Sequence, residues 1–409
     1  MEQKKGKATV AFARPPVICG AASIVGKKES EGPLGPFFDR HIMDDGKGME
    51  NWEQAESSMQ KAAADLSITK AGLKRDDIRY LFAGDLLGQL IATSFGTVDL
   101  EIPLFGLYGA CSTMGEAMSL GAMMVNAGYA DHVLSMASSH FATAEKQFRF
   151  PLAYGNQRPM SSTWTVTGCG AVVIGKEGQP GLAKITAFTA GKAIDIGARD
   201  SMNMGAAMAP AAFHTIEQNL EDLGTDETWY DRIITGDLGE VGTQILLDLM
   251  EKKGRSLKER HMDCGVEIYS KETQDTHAGG SGCGCSAVTL CAAILPKIRE
   301  GIWKRVLFVL HFPEAVHSGG CSRNKWNPET TCIRSEIPGS PPPHDRFSVA
   351  EGLSVSAAYT DIRQHVWTVL QHLPAAAAIP AECSASVPAC RCVFLKAPRA
   401  ELRAGRLGQ

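Results

Sequence analysis

The side chains best placed to do chemistry sit beside glycine. Cys111 follows Gly109-Ala110 and opens a run of small and apolar residues, 112–127, that reads as a helix. A cysteine at a helix start faces unpaired backbone N–H groups and the positive end of the helix dipole, both of which favour a thiolate. A thiolate there is a nucleophile suited to acyl transfer. A second glycine-rich turn, Gly280-Ser281-Gly282-Cys283-Gly284-Cys285, opens another small-residue helix that runs to about Ile298. Two helix starts rich in N–H donors can equally hold an anion, and glycine lets the backbone approach a ligand closely.

Further candidates lie at strand ends. Asp85 closes the apolar run 77–86, and Asp237 closes 230–238, each within Gly-Asp-Leu. Turn capping and ligand contact are both open for these carboxylates. His140 follows the strand 132–136, at the carboxyl end where α/β sites gather. It reads either as a ligand contact or as a structural histidine bonded to backbone. Arg149, in Gln147-Phe148-Arg149, could fork a carboxylate, whereas Arg158 reads as part of a solvated loop or a dimer contact. Met202, Met204 and Met208 read as adaptable lining or core, not a metal site. Gly168-Cys169-Gly170 starts an apolar strand; no helix follows, so it is no phosphate loop.

The elements that position these residues come in two sets. A helix with Trp52, Ala55, Met59, Ala62, Ala63 and Leu66 at helical spacing precedes the first Gly-Asp-Leu strand. A second, read as starting at Ala209-Pro210, shows Phe213, Ile216, Leu220 and Leu223 and precedes the other. A glycine-rich turn, a small-residue helix and an apolar strand then follow in each half, ending at 132–136 and 305–309. This order predicts an α/β fold of two pseudo-symmetric halves in a layered αβαβα arrangement, with the two small-residue helices buried between two sheets. The halves are placed at 1–175 and 176–310.

Bulk properties narrow the function classes. The 409 residues are 44% hydrophobic and 21% charged, enough to bury a sizeable core. A formal net charge of −4 gives no case for nucleic acid. The polar N-terminus shows no signal peptide, and no stretch reaches the length of a spanning helix. Twelve cysteines, mostly single, with C-x-C pairs at 283/285 and 390/392, match neither a disulfide framework nor a zinc site. They read as reduced thiols, and no metal or cofactor is expected.

The turn Gly109-Ala110-Cys111-Ser112 resembles the nucleophile turn of the thiolase and ketoacyl-synthase superfamily, and the duplicated halves resemble its two halves. A closer resemblance is carried by Gly32-Pro33-Leu34-Gly35, Ala83-Gly84-Asp85-Leu86-Leu87, Ser138-Ser139-His140, Ala142-Thr143-Ala144-Glu145, Ala207-Met208-Ala209-Pro210 and Ala278-Gly279-Gly280-Ser281-Gly282-Cys283. Over about residues 8–309 the chain resembles the stage V sporulation protein AD family. That resemblance implies binding of dipicolinic acid (pyridine-2,6-dicarboxylate), free or as its calcium chelate, for uptake into developing spores and release on germination. It also implies a cytoplasmic to peripheral location on the spore inner membrane, beside membrane proteins of the same operon. A homodimer through the nucleophile-bearing half is implied by analogy with the superfamily.

The same resemblance exposes departures. Where a condensing enzyme of the superfamily carries His, this chain reads Gly236-Asp237; where it carries Asn or His, the turn reads Gly280-Ser281-Gly282. An ionised Asp does not stabilise an oxyanion, and Ser is a poor base. The reading is therefore a non-catalytic binder whose site draws on Asp85, Cys111, His140, Arg149, Asp237, Ser281 and Cys283. The alternatives are an acyltransferase using Cys111 and a structural subunit of a membrane assembly. After Val309 the character changes: the segment 311–409 holds half of the 20 prolines in about a quarter of the chain. It reads as a divergent, disordered or frameshifted tail in which the last core strands are lost, or else as a regulatory tail with one weak helix at 362–373.

Overall fold

The computed structural model describes residues 2–148, 158–194, 196, 200, 202–311 and, as backbone, 331–336. The chain divides into two units, Met1–Leu373 and Pro374–Gln409. The second lies outside the described residues.

Each half builds a five-stranded sheet from the same parts. In the first half these are β1 (Val17–Val25), helix α1 (Trp52–Lys70), β2 (Tyr80–Gly84), helix α2 (Ile91–Thr97), β3 (Leu104–Gly106), helix α3 (Thr113–Asn126), β4 (His132–Ser139), helix α4 (Phe141–Phe148) and β5 (Gly168–Gly175). The second half supplies β6 (Ala183–Ala190), helix α5 (Met204–Leu223), β7 (Arg232–Thr235), helix α6 (Gly239–Lys252), β8 (His261–Asp263), helix α7 (Cys283–Thr289), β9 (Arg305–Leu310) and β10 (Thr331–Glu336). The spatial order is β3-β2-β4-β5-β1 in one and β8-β7-β9-β10-β6 in the other. In both, the first two pairings are parallel and the last two antiparallel. The sheets join where β1 meets β6, with Ile18 opposite Ala183 and Val17 opposite Lys184. Duplication, inferred from repeated turns and runs, is thus written into the strand order.

Three apolar clusters match the expected layers. Ile24, Leu81, Leu134 and Val173 face Met59, Ala63 and Ile68 of α1 on one outer side. Ile233, Leu307 and Val309 face Phe213, Ile216, Ile245 and Leu249 of α5 and α6 on the other. Between the sheets lie α3 and α7, with Met114, Met118, Ala122, Ala287 and Val288 against Phe82, Val133, Val172, Ile234 and Phe308. Alternate residues of β7 and β9 enter different clusters, as the two-residue period of a strand requires. Small residues in the middle layer permit close approach: a Cβ on Gly170 would lie 2.3 Å from Ala287 backbone.

Three expectations need correction. Helix α5 begins at Met204, not Ala209, because the Asn203 side chain accepts from Ala206 N–H and caps it earlier; Pro210 then sits inside the helix. The small-residue helix of the second half is not uniform: α7 passes through a π-helical turn, Leu290–Ile294, before Leu295–Arg299. A core strand is present in the segment read as irregular, since Thr331–Glu336 fills the place between β9 and β6. The remaining expectations for 312–409 lie outside the described residues.

Candidate functional site

The first half contributes the cysteine turn. A single 3-10 turn, Ala110–Ser112, leads into α3, and Ser112 N–H donates to Gly109 C=O at 3.0 Å. Ala110 is held at φ +42°, a left-handed conformation that costs a non-glycine residue about 1–3 kcal/mol. The end of β2 presses directly on this turn: a Cβ on Gly84 would lie 2.0 Å from Leu107 C=O. The backbone is thus forced to present Cys111 between the sheets, where it is 3% exposed.

The second half brings Asp237 and the Gly280–Gly282 turn to the same point. Gly282 N–H donates to Asp237 Oδ2 at 2.9 Å. Gly282 itself is at φ +99°, and a Cβ there would meet Ser139 Oγ at 2.9 Å. The Cys111 thiol lies within electrostatic reach of the Asp237 carboxylate and of Gly282 N–H. Burial first, and the Asp237 charge second, push this thiol well above the ordinary cysteine range. The helix start that favours a thiolate is outweighed by desolvation and by a nearby carboxylate.

Beside this pair lies His311, at the carboxyl end of β9 and fully buried. Its Nδ1 is 3.5 Å from Asp237 Oδ1. Asp237 Oδ1 and both ring nitrogens of His311 lack a hydrogen-bond partner among the described residues. Apart from that long ion-pair contact these buried atoms are unsatisfied, which is costly unless something else pairs them. Cys283 closes the site from the other side: its thiol donates to Ser138 C=O at 2.9 Å. Burial, then Glu56 and Asp85, raise it well above its usual range.

Of the residues read as site candidates, Cys111, Asp237 and Cys283 converge, with Ser281 as backbone support. Ser281 C=O accepts from Val166 N–H at 2.9 Å, and this strand pairing sets the Gly282 N–H. Asp85 lies within electrostatic reach of Cys283, yet its oxygens are occupied: Leu87 N–H and Thr93 N–H donate at 2.7 Å and Thr93 Oγ1 at 2.5 Å. That is the capping role. His140 is turned away from Cys111. Ala142 N–H donates to its Nδ1 at 3.1 Å, so Nε2 carries the proton and donates to Asp45 C=O at 2.9 Å. Burial lowers its pKa, which keeps this neutral brace neutral. Arg149 lies outside the described residues. Arg158 is no solvated side chain: it is 6% exposed, stacks over Trp164 and donates to Asp275.

Three residues of the site were not singled out from sequence. His311 is one. Asp263 is another: it accepts from Thr235 Oγ1 at 2.6 Å, Leu238 N–H at 2.8 Å, Gly239 N–H at 3.0 Å and Val266 N–H at 3.1 Å. It therefore fixes the turn that carries Asp237, as Asp85 fixes the equivalent turn of the first half. The third is Glu56, on the buried face of α1. It accepts from Ser138 Oγ at 2.7 Å and Thr143 Oγ1 at 3.0 Å, and burial, then Asp85, push it up to about 8. Gln60 Nε2 donates to Ser138 Oγ at 2.7 Å and Thr93 Oγ1 at 3.0 Å, linking Glu56 to Asp85. Their spacing on an apolar helix face was the available signal. Among the described residues no three His, Cys, Asp or Glu side chains are grouped to hold a metal, and the seven described cysteines are free thiols.

Comparison with known proteins places this geometry. Residues 6–318 match the family model of stage V sporulation protein AD. The chain is 42% identical over 304 residues to stage V sporulation protein AD of Bacillus subtilis (strain 168), covering 74% of this chain and 89% of that one. Among solved structures it is similar to human mitochondrial 3-ketoacyl-CoA thiolase, with a TM-score of 0.51 and 12% identity over 80% of this chain and 99% of that one. It is also similar to 3-oxoacyl-[acyl-carrier-protein] synthase III of Aquifex aeolicus, with a TM-score of 0.50 and 15% identity over 78% and 99%. These structural likenesses establish the thiolase-type architecture and no activity. The extent of the family match, over residues 6–318 and at 42% identity to the relative, shows that the chain belongs to the stage V sporulation protein AD family.

Proposed function

We propose that this thiolase-like sporulation protein is a non-catalytic binder of dipicolinic acid, taken up for developing spores and released on germination. The observation that carries the reading is the burial of the Cys111 thiol, which together with the nearby Asp237 charge holds it well above the ordinary cysteine range. A nucleophile needs a base that leaves it anionic; this neighbour holds the proton on sulfur. What remains is a buried polar point with helix starts from both halves and three polar atoms that make no hydrogen bond. A rigid aromatic ring with two carboxylates fits such donors. The Asp237 charge favours the calcium chelate over the free dianion, because a cation offsets like charges.

Family membership supports a place beside the membrane proteins of the same operon, peripheral on the spore inner membrane. No helix among the described residues is long and apolar enough to cross a membrane. A homodimer is supported by an exposed apolar surface on the outer strand of the first half. Leu104 and Phe105 of β3 lie there with Phe95, Val98 and Tyr108 nearby in sequence, and Phe95 is 74% exposed. The second reading is an acyltransferase using Cys111, and the strained Ala110 favours it, since strain gathers at reactive turns. Calorimetric titration of the protein with dipicolinic acid, alongside an acyl-thioester transfer assay, separates the two. Saturable binding without transfer supports the binder; transfer lost in Cys111→Ala supports the enzyme.

A further inference from the structure

A second polar feature lies on the outer face of the first half, away from the cysteine turn. A cleft of about 440 Å³ opens between the chain around Arg40 and Lys47 and the helix α1. Arg40, Lys47, Ser58, Lys61, Asp65 and Thr69 are among its lining residues. It shares none of them with the Cys111 site.

The charges around this cleft balance in number but are not all paired. Asp39 is paired with Lys70 at 2.8 Å and accepts from Ser23 N–H at 2.9 Å. Asp44 is taken up by its own turn, accepting from Gly46 N–H at 3.3 Å and Gly48 N–H at 3.0 Å. Asp65 is gripped by Arg75, whose Nε and Nη2 each donate at 2.8 Å. Asp99 pairs with Lys61. Two cations, Arg40 and Lys47, have no ion-pair partner among the described residues. Lys47 Nζ donates to a neutral hydroxyl, Ser58 Oγ, at 2.6 Å. The Arg40 guanidinium has no acidic partner among the described residues, and its charge acts on Lys47 as a repulsion. Burial first, and Arg40 second, lower the Lys47 pKa. Two like charges, an exposed Arg40 and a half-buried Lys47, line one cleft, an arrangement that an anion would relieve.

The loop is fixed in this pose from behind. His140 Nε2 donates to Asp45 C=O at 2.9 Å, and Lys47 N–H donates to Asp44 C=O at 2.9 Å. Lys47 is itself at φ +50°, a conformation lysine seldom adopts. The cleft is therefore pre-formed.

We propose that this cleft binds a phosphate-class oxyanion, with Arg40 as the planar fork and Lys47 as the point charge. A guanidinium and an ammonium on one wall suit a tetrahedral oxyanion of one to two charges. The volume leaves room for the group that carries the phosphate, either a small soluble metabolite or the headgroup of an anionic lipid.

The test uses the full chain and three probes: inorganic phosphate, glycerol 3-phosphate, and phosphatidylglycerol vesicles with phosphatidylcholine vesicles as the neutral reference. Wild type is compared with Arg40→Gln/Lys47→Gln, with the charge-keeping Arg40→Lys/Lys47→Arg, and with Lys258→Gln/Lys271→Gln, which removes the same net charge elsewhere. The expected result is saturable binding of at least one probe, weakened fivefold or more in Arg40→Gln/Lys47→Gln and kept within twofold in the other two. Binding confined to phosphatidylglycerol vesicles assigns the source to lipid; binding of glycerol 3-phosphate assigns it to a soluble phosphate. Absence of binding to every probe by folded wild type overturns the site. So does an equal loss in Lys258→Gln/Lys271→Gln.

Discussion

The N–H of Gly282 donates to Oδ2 of Asp237 at 2.9 Å, tying together two turns of the second half 45 residues apart. This bond holds the carboxylate on the side of the cysteine turn of the first half. Burial and this carboxylate both disfavour the Cys111 thiolate.

The first consequence concerns reactivity. Burial and the Asp237 charge disfavour the Cys111 thiolate, so alkylation by iodoacetamide at pH 7.5 should be at least tenfold slower than for an exposed cysteine. Asp237→Asn removes the carboxylate and should lower the thiol pKa, speeding alkylation. Peptide mass mapping of modified Cys111 against time measures both. Rapid labelling of wild type would show an activated nucleophile.

Glu56 supplies a pH signature. Its carboxyl is raised from an ordinary 4.5 to about 8, so the folded state holds a proton there that the unfolded chain releases. The stability it contributes is full below about pH 4.5 and falls as pH rises toward 8. Glu56→Gln should flatten that fall. Glu29, raised to about 7 by burial, loses stability over a similar range and remains in the variant. Urea unfolding midpoints at pH 5, 6, 7 and 8 read the difference; parallel profiles for both proteins would mean Glu56 is ionised in the fold.

The scaffold of the site was largely legible in the sequence, and the reasons are physical. Strands buried on both faces read as apolar runs, and the close approach of α3 and α7 demands small residues such as Ala122 and Ala287. The turns at Cys111 and Gly282 demand glycine around them. What was hidden depends on packing across the chain. Asp263 stands after His261-Met262 with no period to mark it, and only the fold brings it to Leu238 and Gly239. Glu56 sits between Ala55 and Met59, where a carboxylate ordinarily faces water. His311 gains meaning only when β9 pairs with β7 and points it at Asp237. His140 stands at a strand end as read, but it stays buried and out of the site because Asp45 C=O and Ala142 N–H claim both ring nitrogens.

Asp263 should be the most sensitive of these hidden residues. Asp263→Ala leaves Thr235 Oγ1 and the N–H groups of Leu238, Gly239 and Val266 without their acceptor, in a buried turn. A loss of roughly 2–5 kcal/mol is expected. Chemical denaturation measures it; a change below about 0.5 kcal/mol would mean that water reaches the turn.

Gly282→Ala tests the geometry rather than the stability of the site. At φ +99°, with Ser139 Oγ at 2.9 Å from the added Cβ, alanine costs about 1–3 kcal/mol and displaces the N–H that Asp237 accepts. Ligand affinity should fall tenfold or more in a variant that still melts cooperatively. Unchanged affinity would place the ligand elsewhere.

The most direct measurement is calorimetric titration of the protein with dipicolinic acid, with and without calcium, using isophthalic acid as the control that keeps both carboxylates and lacks the ring nitrogen. The account predicts saturable one-site binding, stronger with calcium, weakened in Gly282→Ala, and absent for isophthalic acid. A folded protein that binds neither acid, or binds both alike, would contradict it.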